Sequence, residues 1–265
     1  MPKDELLRVC VVGRGRVGRG LIAGLARTHD AGLTVSLAGA RRMPRRMDVD
    51  VVVLAVPDGT IEAVAQRVLE RVDGAPVLLH CAGALGVDAY GALPREFPKV
   101  AFGAMHPLVS FADPKRPPPL AGTCFAVAGP KRARLAAARI AKACGATPMG
   151  RGTEGVHGAA YHAAAALVAN GAAGLAFVGV GLLRELGLSK KASERALGSL
   201  LRTVAHNVET IGVPAALTGP VMRGDQATVT RHRRALRRGT DPRKAYDALV
   251  PVIERCAAAL QRKRK

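Results

Sequence analysis

The apolar positions of the first 150 residues follow two alternating patterns. Short continuous apolar runs are typical of strands buried on both faces of a parallel sheet. They occur at residues 7–12, 34–38, 50–56, 76–80, 100–105, 123–128 and 147–149. In the segments between them, apolar residues recur every three or four positions, as on one face of a helix. The alternation predicts an α/β domain with a doubly wound, mainly parallel sheet.

The strand pattern stops after residue 153, and the remaining chain has only helical periodicity. Helices are predicted at residues 156–186, 189–211 and 226–238, and a last one from Asp241, which we expect Pro251 to kink or split. We therefore predict an α/β domain over residues 1–151 and an all-α domain over residues 152–265.

The first strand is followed by a glycine-rich turn that opens a helix, the arrangement of a Rossmann dinucleotide-binding site. Gly13 permits the tight turn, Gly15 lacks the Cβ that would keep a pyrophosphate from the backbone, and Gly18 allows close packing of helix and strand. Unpaired N–H groups at the helix start favour an anion. The alternative is a purely structural turn. The cofactor-binding residues predicted here are Gly13, Arg14, Gly15, Arg16, Val17 and Gly18.

The end of the second strand indicates which dinucleotide is bound. An acidic residue there would hold the ribose 2′-hydroxyl of NAD, but Arg41 and Arg42 follow instead. Two guanidinium groups suit a 2′-phosphate, so NADP (NADPH) is the predicted cofactor. The alternative is that both arginines only belong to a general excess of basic residues.

Ligands of open α/β sheets collect beyond the carboxyl ends of the strands. His106 follows one strand and precedes Pro107, which restricts its backbone, and an imidazole can carry the proton that accompanies hydride transfer. We predict His106 to be catalytic; alternatively it only hydrogen-bonds the loop. His80 is either structural or near the nicotinamide. Other strand ends supply the predicted cofactor contacts Val56, Pro57 and Cys81, and the predicted substrate contact Ser110.

The helical region adds candidates. His162 and Asn170 are two turns apart on one face of an apolar helix, where polar groups need partners or line a cavity. His162 is a second catalytic candidate, with Tyr161 and Asn170 as substrate contacts; an interface role is the alternative. Arg223 either clamps a substrate carboxylate or pairs with Asp225.

Residues 163–183 contain no charged side chain and are long enough to cross a bilayer. They are rich in Ala and Gly, so we interpret them as a helix buried on all sides, at a subunit interface, with no membrane span.

The net charge of +20 comes from 40 basic and 20 acidic residues. The basic residues are dispersed and lack interleaved aromatic residues, so an anionic cofactor or substrate is favoured over nucleic acid. The five cysteines have no metal-ligand spacing and no secretory signal precedes them, which predicts reduced thiols, no metal and a cytoplasmic protein.

The chain resembles the superfamily that joins a Rossmann domain to a helical domain like that of 6-phosphogluconate dehydrogenase, with β-hydroxyacid dehydrogenases, pyrroline-5-carboxylate reductases and prephenate dehydrogenases among its members. Within it, the chain resembles a bacterial family with a C-terminal domain of unknown function. The residues that carry the resemblance are 54–58, 80–83, 106–111, 161–165 with Asn170, and 217–225.

The resemblance implies an oxidoreductase that dimerises through its helical domain. The segment from Gly103 to Pro107 is similar to the Gly-x-x-His-Pro element of prephenate dehydrogenases, whose histidine touches the reacting hydroxyl. The catalytic lysine of β-hydroxyacid dehydrogenases has no counterpart, because His162 stands near that position and Ala166 follows. That mechanism therefore does not carry over.

Together these features predict an NADP-dependent oxidoreductase. It would transfer a hydride to or from a C=O or C=N carbon of a small carboxylated substrate. The alternative is a non-catalytic NADP-binding sensor or scaffold, which the same glycine loop would serve.

Overall fold

The computed structural model describes residues 6–28, 32–150 and 156–262, and the chain forms two compact units, Met1–Ala166 and Leu167–Lys265. The strands are β1 Leu7–Val12, β2 Leu33–Ala38, β3 Val51–Leu54, β4 Val77–His80, β5 Ala101–Pro107, β6 Cys124–Ala128 and β7 Thr147–Met149. The helices are α1 Arg16–Thr28, α2 Ile61–Leu69, α3 Leu93–Glu96, α4 Lys131–Ala143, α5 Ala159–Glu185, α6 Lys190–Ile211, α7 Gln226–Ala235 and α8 Asp241–Arg262.

The seven strands form one sheet in the order β2-β1-β3-β4-β5-β6-β7. Every neighbouring pair is parallel except β5 and β6, which are antiparallel. The predicted mainly parallel, doubly wound sheet is therefore confirmed, and the strand bounds differ from the predicted ones by two residues at most.

The strands β1, β3, β4 and β5 are buried on both faces, and their successive side chains enter different cores because they point to opposite faces of the sheet. Val9 of β1 belongs to a core shared with Leu21 of α1 and Ile140 of α4. Cys10, the next residue, belongs to a separate core with Val64 of α2. The uninterrupted apolar runs of the sequence thus fill two cores, and they fix the carboxyl ends of β1, β3, β4 and β5 at one edge of the sheet.

The second unit is helical, as predicted, and its helix ends follow from local chemistry. Ser189 caps α6 by accepting a hydrogen bond from the Ala192 N–H at 3.2 Å, and Asp225 caps α7 by accepting one from the Thr228 N–H at 2.9 Å. Gly187, at a φ of +92°, follows the end of α5 in the left-handed conformation that favours glycine.

Two expectations for the helical region concern Pro251 and helix α5. Helix α8 runs continuously through Pro251, so the proline does not split it, and a kink at this residue stays a prediction. No residue of α5 is buried in the chain, whereas we predicted a helix buried on all sides. Within one chain its apolar side chains remain accessible, and burial at a subunit interface stays a prediction.

Helix α5 is, among the described residues, the one helix long and apolar enough to cross a membrane, by length and composition only. The predicted domain boundary, between residues 151 and 152, lies outside the described residues, and it stays a prediction. The first turns of α5, up to Ala166, belong to the first unit.

Candidate functional site

The glycine-rich loop of residues 13–15 connects β1 to α1. As predicted, Gly13 allows the tight turn and Gly18 allows close packing. Gly13 has a φ of +128°, and a Cβ at this position would lie 2.1 Å from the Ala55 carbonyl oxygen. A Cβ at Gly18 would lie 1.9 Å from the Gly13 carbonyl oxygen. Gly15 is exposed, with no atom within 4 Å of its Cβ position, so the loop is open at this glycine. Gly13 and Gly18 therefore shape the loop, and Gly15 leaves room for a ligand.

A cavity of about 400 Å³ lies against this loop. Its walls come from the loop, from residues 39–42 after β2 and from residues 55–57 after β3. The lining residues are Gly13, Arg14, Gly15, Gly39, Ala40, Arg41, Arg42, Ala55, Val56 and Pro57. Three arginines and no acidic residue line it, so the cavity suits an anion. Seven of the predicted cofactor residues line this cavity: Gly13, Arg14, Gly15, Arg41, Arg42, Val56 and Pro57. Arg16 and Val17 instead begin α1, and Gly18 packs against the Gly13 carbonyl.

The end of β4 lies at the same edge of the sheet. His80 is fully buried; its Nδ1 accepts a hydrogen bond from the Ala82 N–H at 3.2 Å, and its Nε2 lies 2.8 Å from the Gly86 carbonyl oxygen. Nε2 therefore carries the proton, and burial lowers the pKa of His80. Of the two alternatives for His80, the structural one fits. It shapes the loop of residues 81–86, which includes the predicted cofactor residue Cys81.

His106 lies beyond the end of β4, because the register of β4 and β5 pairs His80 with Ala104. Its Nδ1 lies 2.9 Å from the Tyr161 hydroxyl, which comes from the first turn of α5. The two rings are nearly perpendicular, with centroids 5.6 Å apart. Sequence analysis selected both residues but did not predict that they are hydrogen-bonded partners.

His162 completes a cluster of three aromatic side chains, and Gly83 lies against two of them. The His106 and His162 ring centroids are 5.9 Å apart. A Cβ at Gly83 would lie 2.8 Å from His162 and 2.9 Å from the Cε1 and Nε2 atoms of His106. The Gly158 N–H also donates a hydrogen bond to the Gly83 carbonyl at 3.2 Å. The glycine after β4 is thus the point where the start of α5 meets the histidines.

Burial, and next the neighbouring His162, lower the pKa of His106 to about 4. At pH 7 the imidazole is therefore uncharged. Burial also raises the pKa of the Tyr161 hydroxyl and raises that of the Cys81 thiol to about 12. At neutral pH the pair is therefore a neutral imidazole bonded to a neutral phenol, and Cys81 is an unreactive thiol.

Three predicted substrate contacts are not part of this cluster. Ser110 is exposed in the loop after β5, and in the described part of the chain its hydroxyl has no hydrogen bond. Asn170 and Arg223 are exposed residues of the second unit. Among the described residues no ion pair within 4 Å joins Arg223 to Asp225, whose carboxylate accepts hydrogen bonds from the Thr228 N–H and hydroxyl; Arg223 acts on it only as a nearby charge that helps to lower its pKa. Substrate contact by these residues stays a prediction.

Sequence analysis missed two residues that shape the site. Arg67 of α2 donates a hydrogen bond to the Ala40 carbonyl at 2.8 Å, next to Arg41. Gly83, which follows β4, lies against the rings of His106 of β5 and His162 of α5. Arg67 has no local signal, because its partner is 27 positions away. Gly83 had one, since a glycine follows a predicted strand end, but its contact with the histidines depends on the tertiary fold.

Residues 123–252 match the model of a family described as a domain of unknown function, DUF2520. The match covers β6, β7 and most of the helical unit. It agrees with the resemblance that the sequence indicated for this part of the chain. A search of curated protein sequences found no match.

Several solved structures have a similar fold. A protein from Thermotoga maritima is 24% identical, with a TM-score of 0.67, over 96% of this chain and 99% of its own. An imine reductase from Pseudomonas sp. is 17% identical, with a TM-score of 0.57, over 96% and 94%. A pyrroline carboxylate reductase from Plasmodium falciparum with NADP bound is 14% identical, with a TM-score of 0.55, over 96% and 99%. These likenesses establish a Rossmann-like sheet followed by an all-α region, and they confirm the predicted fold class.

Proposed function

We propose that this chain is an NADP-dependent oxidoreductase that transfers a hydride to or from a C=O or C=N carbon of a small carboxylated substrate. The observation that carries the proposal is the 2.9 Å contact between His106 Nδ1 and the Tyr161 hydroxyl. It lies at the edge of the sheet that also carries the glycine-rich loop. A proton-handling pair and a dinucleotide cradle on one edge are the two parts that such a reaction needs.

The residues around the loop fit NADP. Gly15 has free space where a side chain would stand, and Arg14, Arg41 and Arg42 line the adjoining cavity without an acidic neighbour. The loop and the start of α1 would hold the pyrophosphate, and the arginines would hold the 2′-phosphate. When bound, NADPH supplies the hydride. The neighbours described as an imine reductase and as a reductase with NADP bound are consistent with this assignment.

The chain itself would manage the proton. If His106 Nδ1 carries the hydrogen, it donates to the Tyr161 oxygen, and the phenol proton is free to pass to a substrate oxygen or nitrogen. The resulting phenolate would keep that hydrogen bond, which stabilises it, until solvent returns the proton. If the phenol donates to Nδ1 instead, the Nε2 proton faces Gly83. In either arrangement the imidazole works in its neutral form.

A non-catalytic NADP-binding sensor or scaffold is the competing function. The test measures the consumption of NADPH, as a fall in its absorbance, at a fixed protein concentration. The substrates are a panel of small 2-oxo acids and cyclic imines that carry a carboxylate. We expect turnover with at least one member and its loss in His106→Asn. NADPH binding without turnover on any member would favour the sensor.

We also propose that the helical unit forms a homodimer, in a cytoplasmic protein without a membrane span or a nucleic-acid partner. Helices α5 and α6 line a largely apolar groove of about 680 Å³, and Phe177 is 80% exposed there. Phe177→Asp should convert a dimer to a monomer in light scattering. Leu135→Asp, at another exposed apolar residue but in the first unit, is the matched control. A monomeric wild-type protein would contradict the dimer.

A further inference from the structure

The turn of residues 39–42 is held by a side chain outside the glycine loop. The Arg42 N–H donates to the Gly39 carbonyl at 3.0 Å and closes the turn. From α2, Arg67 Nη2 donates to the Ala40 carbonyl at 2.8 Å in a partly buried bond. A charged donor makes such a bond stronger than one between neutral groups. Arg67 therefore fixes the peptide that directly precedes Arg41.

Arg14, in the glycine-rich loop, lies beside the same turn. A Cβ at Gly39 would lie 3.8 Å from Arg14 Nε, so the Arg14 side chain extends across this glycine. Arg14, Arg41 and Arg42 all line the cavity, whereas Arg16, two residues further along, does not. Two separate loops thus place three arginine residues on the walls of one cavity.

We infer that Arg14 and Arg67 determine the preference for a 2′-phosphorylated dinucleotide. Arg14 binds the phosphate together with Arg41 and Arg42. Arg67 is a positioning residue, which acts by holding the turn that presents those two arginines. The inference rests on the proposed function. It adds that selectivity depends on the loop and on α2 as well as on the two arginines after β2.

The test uses ligand fragments, so that it does not depend on turnover. Calorimetry at fixed ionic strength compares 2′,5′-ADP, which carries the 2′-phosphate, with 5′-AMP, which lacks it. Arg14→Met is expected to weaken 2′,5′-ADP about tenfold or more and 5′-AMP less than about twofold. Arg27→Met, at an exposed arginine in the last turn of α1, is the matched control, and it should leave the ratio of the two affinities unchanged.

Arg67 requires a further arm, because a positioning residue acts through others. Arg67→Met should weaken 2′,5′-ADP about fivefold in the wild-type background and have no further effect when Arg41 and Arg42 are already alanine. Arg71→Met is its control, since the Arg71 guanidinium bonds the Arg67 carbonyl and Glu70 but not the turn. Arg67→Lys keeps the charge and should recover part of the affinity. Thermal melts verify that each variant is folded.

Equal weakening of both fragments in Arg14→Met and Arg67→Met would overturn the inference, as would equal effects of the control variants. An additive effect of Arg67→Met in the Arg41/Arg42 double variant would overturn the positioning role. If the wild-type protein binds neither fragment, the cofactor assignment of the proposed function fails as well. Fragment binding without these selective losses contradicts only the inference.

Discussion

The Tyr161 hydroxyl and His106 Nδ1 are 2.9 Å apart, although 55 positions separate the two residues in the chain. The contact joins the end of β5 to the first turn of α5. A histidine selected from its place after a strand and a tyrosine selected from an apolar helix thus become one hydrogen-bonded pair. The chemistry of the site depends on this pair more than on either residue alone.

We predict that His106→Asn and Tyr161→Phe each lower kcat by about 10²- to 10⁴-fold, the range in which proton transfer by a positioned side chain contributes. NADPH affinity should change little, because neither side chain lines the cavity at the glycine-rich loop. Steady-state kinetics and calorimetry measure the two effects separately. Undiminished turnover in both variants would remove the pair from the mechanism.

The lowered pKa of His106 predicts a particular pH dependence of turnover. With a pKa of about 4 instead of 6.5, the imidazole is neutral throughout the range from pH 5.5 to 8. The rate should therefore show no inflection near pH 6.5 that depends on His106. An acid limb at pH 6.5 in the wild-type protein that is missing from the residual turnover of His106→Asn would show that His106 becomes charged in that range.

The same shift acts on stability. Between about pH 6.5 and pH 4, the unfolded chain protonates His106 while the folded chain does not, so protons favour unfolding. The free energy of unfolding should fall as the pH drops through this window. In His106→Asn the fall should be smaller, with buried His80 supplying part of the remainder. Urea titrations at several pH values measure the difference.

Gly83→Ala is predicted to displace the histidine rings of the candidate site. Its Cβ would come within 2.9 Å of both His106 and His162, so the rings must shift. A displacement of this size should lower kcat about tenfold or more while the protein stays folded. Gly59→Ala, where no atom lies within 4 Å of the Cβ position, is the control. Equal kinetics of the two variants would show that the spacing of the rings is unimportant.

Two glycines of the loop predict opposite phenotypes. Gly13→Ala combines a φ of +128° with a Cβ 2.1 Å from the Ala55 carbonyl, and should destabilise the protein by about 3 kcal/mol or more. Gly15→Ala meets no atom within 4 Å and should fold with a change of about 1 kcal/mol at most, yet bind NADPH more weakly. Denaturant titration and calorimetry distinguish the two. A fully stable Gly13→Ala, or unchanged NADPH binding in Gly15→Ala, would contradict this division.

Much of the first unit could be predicted because its signals are local. The apolar runs gave the seven strands, and glycine spacing gave the loop before α1. The residues after the parallel strands lie at one edge of the sheet, as expected, because parallel strands end there; their functional roles stay predictions. The antiparallel pairing of β6 with β5 lacked such a signal, since an isolated apolar run does not reveal its direction.

Other features depend on long-range packing. The neutral state of His106 follows from burial, and the bond from Arg67 to the Ala40 carbonyl follows from the placement of α2 on the sheet. The apolar sequence of α5 indicated burial, but a composition pattern cannot say whether the same chain or another one covers a helix. Arg223 was expected either to contact substrate or to pair with Asp225. Asp225 instead caps α7, and its carboxylate accepts hydrogen bonds from the Thr228 N–H and hydroxyl.

The most direct test of the account is a calorimetric titration of the wild-type protein with NADPH and with NADH at about 0.1 M salt, where surface charges are partly screened. We predict saturable binding of NADPH at one site per chain, tighter than that of NADH. Replacing Arg41 and Arg42 with alanine should weaken NADPH much more than NADH. No heat with either dinucleotide would contradict the cradle at the glycine-rich loop, and with it the proposed redox function.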